Sequence, residues 1–165
     1  MPSDANGKKN TKKSEVIPKH PASLKLPVPR LRQLSLIVTG AQLLAMTVAF
    51  VSSDGVRNIV AVGCSVVFVV GAALFSWAFT IAAGRSRTEE MTVAGAFFLA
   101  GSVGKPDRRW AFGFLTAQTI IGFVAAAADP YTTMAFGVLV PMFGLGVIAF
   151  LGSAHGAFHP RKSTK

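Results

Sequence analysis

The chain has 165 residues, of which 51% are hydrophobic and 15% are charged, and its formal net charge at pH 7 is +10. Soluble proteins carry about 25% charged residues, so this chain is too apolar for an ordinary soluble domain. Charged residues are nearly absent from four windows of about 20 residues, the length that a helix needs to cross a hydrocarbon core about 30 Å thick. Because these windows also lack a polar face with a period of about 3.6 residues, we predict an all-α integral membrane protein.

The N-terminal segment, residues 1–29, is rich in Lys and Pro and has almost no large apolar side chains. Such a segment buries too little surface to offset the entropy of ordering its backbone, so we predict a disordered, basic cytoplasmic tail. The apolar run begins only at Leu34, and it is longer than the apolar region of a secretory signal, about 7–15 residues. We therefore interpret it as an uncleaved first span.

Residues 30–156 are predicted to form a four-helix transmembrane domain, and residues 157–165 to form a second basic cytoplasmic tail. The predicted spans cover residues 33–51, 58–83, 110–128 and 131–154. In the first span, three small residues recur at every fourth position: Ala41, Ala45 and Ala49. A stripe of this kind is typical of a close helix–helix contact in lipid, so we predict that it packs against another helix.

The fourth predicted span has Pro141 near its middle, followed by Gly144. A proline inside a helix leaves one backbone carbonyl without its donor and kinks the helix, whereas a glycine lets a neighbouring helix approach closely. Two interpretations remain open from the sequence. The pair can be a local accommodation of packing, or it can be the hinge of a gating element.

The stretch Gly84–Arg109 separates the second span from the third and contains an apolar run of thirteen residues, 91–103. A helix of that length is about 20 Å long, which is too short to cross the membrane. Ser86 and Glu89 have the spacing of a capping box. We therefore predict a short cytoplasmic helix, interfacial or re-entrant, over about residues 88–103.

The basic residues are distributed unequally between the two sides that these spans define. Eight Lys and Arg residues precede Gln33, five lie in the central stretch and three in the C-terminal tail, and only Arg57 falls on the other side. Because basic loops stay in the cytoplasm, we predict a multi-pass plasma-membrane protein with both termini cytoplasmic. The five central cations could contact anionic lipid headgroups of the inner leaflet or a partner, or could serve topology alone: Arg85, Arg87, Lys105, Arg108 and Arg109.

The sequence offers little for catalysis or metal binding. His155 and His159 are four residues apart, but the further ligands of a metal site are missing. The lone Cys64 excludes an internal disulfide, and Glu89 and Glu90 would diverge by about 100° on a helix. We therefore predict no catalytic, cofactor-binding or metal site. We also expect no nucleic-acid partner, since the basic tail lacks interleaved aromatic residues.

The C-terminal third resembles a group of small four-span actinobacterial membrane proteins with no assigned activity. The residues that carry the resemblance are Ala135-Phe136-Gly137, Val140-Pro141-Met142-Phe143-Gly144-Leu145-Gly146, Ala154-His155-Gly156 and Pro160-Arg161. The resemblance implies a plasma-membrane protein and supplies no site residues.

The leading hypothesis is a non-enzymatic accessory or scaffold subunit that packs with other membrane proteins or with a second copy of itself. The alternative is a small oligomeric transporter or permeation protein, with Pro141 as its hinge. A membrane enzyme is the third hypothesis.

Overall fold

The computed structural model describes residues 27–99 and 102–159. Within these ranges the regular structure is entirely helical, and its elements are α1 (Val28–Val51), α2 (Asp54–Arg85), α3 (Val93–Phe97), α4 (Lys105–Ala128), a 3₁₀ segment (Thr133–Leu139) and α5 (Pro141–His155). Most of the predicted N-terminal tail, residues 1–26, and most of the predicted C-terminal tail, residues 160–165, lie outside the described residues.

Four of the helices are long and apolar enough to cross a membrane: α1, α2, α4 and the continuous segment Thr133–His155. The prediction of four candidate spans is therefore confirmed. The first three begin about four or five residues before the predicted bounds, because backbone hydrogen bonding continues past the apolar window. Pro29 and Pro106 each lie in the first turn of their helix, where the missing N–H has no intrahelical acceptor to lose.

The four long helices alternate in direction and define two ends of a bundle. Leu31 of α1 shares a buried cluster with Ala78 of α2, Ala111 of α4 and Leu151 of α5. We call this the basic end. At the other end, which we call the Arg57 end, a second cluster contains Met46, Ala49, Cys64, Ala125 and Met134.

The fourth span lies in the middle of the bundle. Of its most apolar window 61% is buried, against 22% for α1, 17% for α2 and 22% for α4. Its main neighbour is α2, and glycines bring the two backbones into contact. A Cβ placed on Gly71 would lie 2.5 Å from the backbone N of Phe143, and one on Gly146 would lie 2.5 Å from the carbonyl oxygen of Gly71. Such close approach is the main means by which helices associate inside lipid.

Pro141 interrupts the fourth span, as the sequence predicts, and the structure shows what form the interruption takes. The residues before it form the 3₁₀ segment, and Pro141 is the first residue of α5. Its ring fixes φ near a helical value, which suits the first position of a helix. The span is therefore a 3₁₀ half at the Arg57 end joined to an α-helical half at the basic end.

The helix predicted over residues 88–103 is much shorter in the structure, where α3 covers only Val93–Phe97. Its cap is Thr92, whose Oγ1 accepts a hydrogen bond from the N–H of Gly95. The predicted capping box does not form, because Ser86 ends α2 and its hydroxyl donates to the carbonyl of Ala83.

Two local features explain why α3 is short. Gly95 lies inside it, and glycine is a weak helix former. Beyond its last residue, Leu99 takes a left-handed backbone conformation with φ 54°, which stops the helix. Leu99 is completely buried in the cluster of the basic end, so its packing offsets the cost of that conformation.

Candidate functional site

Arg85 connects three segments at the basic end. Its guanidinium forms an ion pair with Glu89, with 2.7 Å between Nη2 and Oε2. It also donates from Nη1 to the carbonyl of Ser153 at 2.6 Å and from Nη2 to the carbonyl of Gly156 at 3.0 Å. The ring of Phe158 lies 5.3 Å from the guanidinium carbon. Arg85 thus satisfies carbonyls at the end of α5, which have no partners within the helix.

The segment after α2 is held against the residues that follow α5. The N–H of Glu90 donates to the carbonyl of His159 at 2.8 Å, and the N–H of Ala157 donates to the carbonyl of Ser102 at 2.8 Å. The hydroxyl of Ser102 in turn donates to the carbonyl of Gly95. Together with Arg85, these bonds join the central stretch to the end of α5.

The other predicted cations are placed differently from Arg85. Arg87, Lys105, Arg108 and Arg109 are all exposed. The last three, together with Phe112, line a depression of about 470 Å³ at the start of α4. The guanidinium carbon of Arg108 lies 5.8 Å from the centre of the Phe112 ring. Within the described part of the chain, none of these cations forms an ion pair. The predicted group of five is therefore one structural arginine and four cations that face outward.

The Arg57 end has its own ion pair. Nη1 of Arg57 lies 3.4 Å from Oδ2 of Asp129 and 3.8 Å from Oδ1 of the exposed Asp54. Its Nε donates to the carbonyl of Ala49 at 3.2 Å. Arg57 therefore joins the adjacent ends of α1, α2 and α4.

Two glutamines, Gln42 and Gln118, are buried in the middle of the bundle. Nε2 of Gln42 donates to the carbonyls of Gln118, at 3.1 Å, and Gly137, at 3.3 Å. Nε2 of Gln118 donates to Oγ1 of Thr39 at 3.0 Å. Pro141 has no N–H for the carbonyl four residues before it, which belongs to Gly137. The N–H of Val140 donates to that carbonyl at 3.3 Å, and Gln42 supplies a second donor from another helix.

The predicted packing residues differ in how far they are buried. Gly144 is buried beside α4, and a Cβ on it would lie 2.7 Å from Oε1 of Gln118. In the alanine stripe, Ala49 is buried, Ala45 is half-buried and Ala41 is exposed. Residues four apart advance by about 40° around a helix, so the stripe rotates from the interior at Ala49 to the exposed surface at Ala41. Part of it therefore faces away from the bundle.

We expect Gln42 and Pro141 to be energetically coupled. Gln42→Leu should lower the free energy of unfolding by about 1 kcal/mol, a typical value for an interhelical hydrogen bond in a membrane. In a Pro141→Ala background the loss should be smaller, because residue 141 can then donate its own N–H to the carbonyl of Gly137. Unfolding by sodium dodecyl sulfate in mixed micelles would measure both effects. Gln33→Leu, on the exposed side of α1, is the control, and equal losses in both backgrounds would contradict the coupling.

An apolar groove runs between α1 and α4 toward the Arg57 end. It is an open concavity of about 420 Å³, lined by Leu43, Thr47, Phe50 and Val51 from α1, and by Ile120, Ile121, Val124 and Ala125 from α4. The hydroxyl of Thr47 donates to the carbonyl of Leu43 in its own helix. The groove therefore presents an apolar surface outside the bundle.

The residues weighed for metal binding are not brought together. The structure ends α5 at His155, so His159 does not share its helical face, and Cys64 is buried in the cluster of the Arg57 end. Among the residues that the structure describes, no three His, Cys, Asp or Glu side chains form a group that could hold a metal ion.

No protein-family model, curated protein or solved structure matches the chain.

Proposed function

We propose that the protein is a non-enzymatic accessory or scaffold subunit of the plasma membrane, which packs with a partner membrane protein or with a second copy of itself. The observation that carries this proposal is the groove between α1 and α4. Inside lipid, helices associate through close packing rather than through a hydrophobic driving force. A groove between two exposed helices offers a partner helix contacts on both walls, which a convex helix face does not.

The remaining helix faces support the same assignment. The buried surface of α5 is already occupied by α2, α4 and α3. The outer face of α2 exposes Val62, Val66 and Val69, and the face of a single helix offers a partner only one wall. A partner would therefore gain more contact in the groove between α1 and α4 than on that face.

Photo-crosslinking in native membranes tests this proposal. A photoreactive amino acid at Leu43, in the groove, should yield a protein adduct, whereas the same substitution at the similarly exposed Val69 of α2 should yield adducts only with lipid. Thr47→Trp, which fills the groove, should remove the adduct formed from position 43. Lipid adducts alone at both positions, or equal protein adducts at both, would count against a partner in the groove.

The proposed orientation places the basic end in the cytoplasm, with α3 at the inner membrane surface. It is supported by the distribution of described cations, since every one except Arg57 lies at the basic end, including Arg30 and Arg32 in the first turns of α1. The positive-inside rule assigns such an end to the cytoplasm. Val93, the first residue of α3, and Phe98, which follows its last residue, are exposed apolar residues that could enter the headgroup region.

Cysteine labelling tests the orientation. In a Cys64→Ala background, Phe98→Cys should react with a membrane-impermeant maleimide only after the cells are permeabilised, whereas Tyr131→Cys should react in intact cells. Phe98 lies at the basic end and Tyr131, which is fully exposed, at the Arg57 end, so the two variants report opposite sides. The reverse pattern would invert the proposed topology.

A second candidate function is permeation or transport through an oligomer. The observation that favours it is the junction of the 3₁₀ segment and α5 at Pro141, beside the buried Gln42 and Gln118. A helix broken next to polar groups at membrane depth could act as a hinge. Solute flux into proteoliposomes that is lost on Pro141→Ala would favour this function over the scaffold.

A further inference from the structure

We propose that Lys105, Arg108, Arg109 and Phe112, at the start of α4, form a binding site for one anionic phospholipid. The site is separate from the groove between α1 and α4, and it does not depend on whether that groove holds a partner. The ligand would place its phosphate among the three cations and one acyl chain along α4 beyond Phe112.

The spacing of these residues along α4 determines the order in which charged and aromatic side chains follow one another across the membrane interface. Lys105, Arg108 and Arg109 are separated by three and four residues, so they lie close together on one side of the helix. Phe112 is four residues beyond Arg108 and therefore lies one turn further along α4, away from the basic end. Three cations followed by an aromatic ring one turn further along the helix match a phospholipid, in which the charged headgroup is followed by the acyl chains.

The local electrostatics favour an anion at this position. The N-terminus of α4 carries the positive end of the helix dipole, and its Gly104 cap provides no side-chain acceptor. The nearest carboxylate, that of Asp107, accepts a hydrogen bond from the indole N–H of Trp110 at 3.1 Å. With Asp107 opposing three cations, the turn keeps a net positive charge.

The local grouping of these side chains distinguishes the site from the rest of the basic surface. The three cations and Phe112 line an open concavity of about 470 Å³, and the guanidinium carbon of Arg108 lies 5.8 Å from the centre of the Phe112 ring. Arg85 is not available to a lipid, because it is bound to Glu89 and to the carbonyls at the end of α5. The exposed Arg30 and Arg32 at the start of α1 contribute charge at the same end but do not line the depression.

Fluorescence quenching in bilayers tests the site with the full chain. A Trp77→Phe substitution, at an exposed position of α2, leaves Trp110, which is half-buried in the same turn of α4 as Arg108 and Arg109, as the reporter. In phosphatidylcholine bilayers, brominated phosphatidylglycerol should quench Trp110 with an apparent affinity about fivefold to tenfold higher than brominated phosphatidylcholine, given the usual contribution of a basic residue near an anionic lipid. Equal quenching by the two lipids would overturn the proposal.

Two matched double variants distinguish a specific lipid-binding site from a general effect of surface charge. Arg108→Gln with Arg109→Gln should bring the affinity ratio close to one, whereas Arg30→Gln with Arg32→Gln, which removes the same charge, should leave it unchanged. An equal reduction by both variants would mean that only the surface potential is involved, and would overturn the proposal. All four arginines are exposed, and an unchanged circular dichroism spectrum would show that folding is retained.

Two further measurements identify the part of the ligand that is recognised. Inorganic phosphate alone, added to phosphatidylcholine bilayers, should neither change the fluorescence of Trp110 nor compete with phosphatidylglycerol. Phe112→Ala should lower the affinity for the lipid by severalfold, because the contact beneath the headgroup is lost. Competition by millimolar phosphate, together with an unaffected Phe112→Ala variant, would instead assign the site to a soluble anion.

Discussion

Gly71→Ala should destabilise the bundle by about 3 kcal/mol, the upper part of the range for overpacking a well-packed interior. A Cβ on Gly71 would lie 2.5 Å from the backbone N and 2.6 Å from the Cα of Phe143. Because both atoms belong to the backbone of α5, no side-chain rotation can relieve the contact, and α2 and α5 must separate. This pair of helices forms the most extensive interface in the structure.

Gly63→Ala is the matched control for this prediction. Gly63 also lies in α2, and a Cβ on it would have no atom within 4 Å among the described residues. Its replacement should leave the free energy of unfolding unchanged or raise it by up to about 1 kcal/mol, since alanine is the better helix former. Unfolding by sodium dodecyl sulfate, followed by circular dichroism, would measure both variants. Equal stability of the two would show that α2 and α5 do not approach each other as closely as described.

Arg85→Ala should lower the free energy of unfolding by about 2 to 3 kcal/mol. The substitution removes hydrogen bonds between a charged donor and two carbonyls of the α5 end, each of which contributes more than a neutral bond. It also leaves the carboxylate of Glu89 without its cation. The side chains of Arg85 and Glu89 are 19% and 18% exposed, so water reaches the site and the loss should be smaller than for a fully buried ion pair.

Arg87→Ala provides the control, because Arg87 is exposed two residues further along, and its replacement should cost less than about 0.5 kcal/mol. The double variant Arg85→Ala with Glu89→Gln should be less destabilised than the sum of the single losses, because the unpaired carboxylate is then absent. Hydrogen exchange should increase in residues 86–99 and at the end of α5 in Arg85→Ala. If the two arginine variants were equally stable, Arg85 could not have the connecting role that its contacts indicate.

These contacts assign different roles to cations that look alike in the sequence. Arg85 and Arg87 are two residues apart, yet the first is bound to α5 and the second faces outward. The difference arises because Arg85 is the last residue of α2 and meets the carbonyls of the α5 end, whereas Arg87 lies in the turn that follows α2. The proposed lipid site at Lys105, Arg108 and Arg109 emerges only after Arg85 has been separated from the other cations.

The sequence was sufficient to predict the helical class and the four candidate spans, because both depend on local composition and length. A run of about 20 uncharged residues satisfies its own backbone hydrogen bonds only as a helix, wherever its neighbours lie. The same local logic predicted that Pro141 interrupts the fourth span, since the missing N–H is a property of one residue. The predicted helix over 88–103 was wrong in extent. An apolar run this short is too short for stable cooperative helix formation, so its conformation depends on the residues that pack against it.

What only the tertiary structure decided is which surfaces of these helices face one another. In a membrane, apolar side chains are equally acceptable toward lipid and toward protein, so hydropathy does not mark the buried face. The central position of the fourth span, the contact of Gly71 with Gly146, and the donation from Gln42 to the carbonyl of Gly137 all depend on residues distant in the chain. Such contacts follow from the crossing of helices in three dimensions, which the spacing of residues along one helix does not specify.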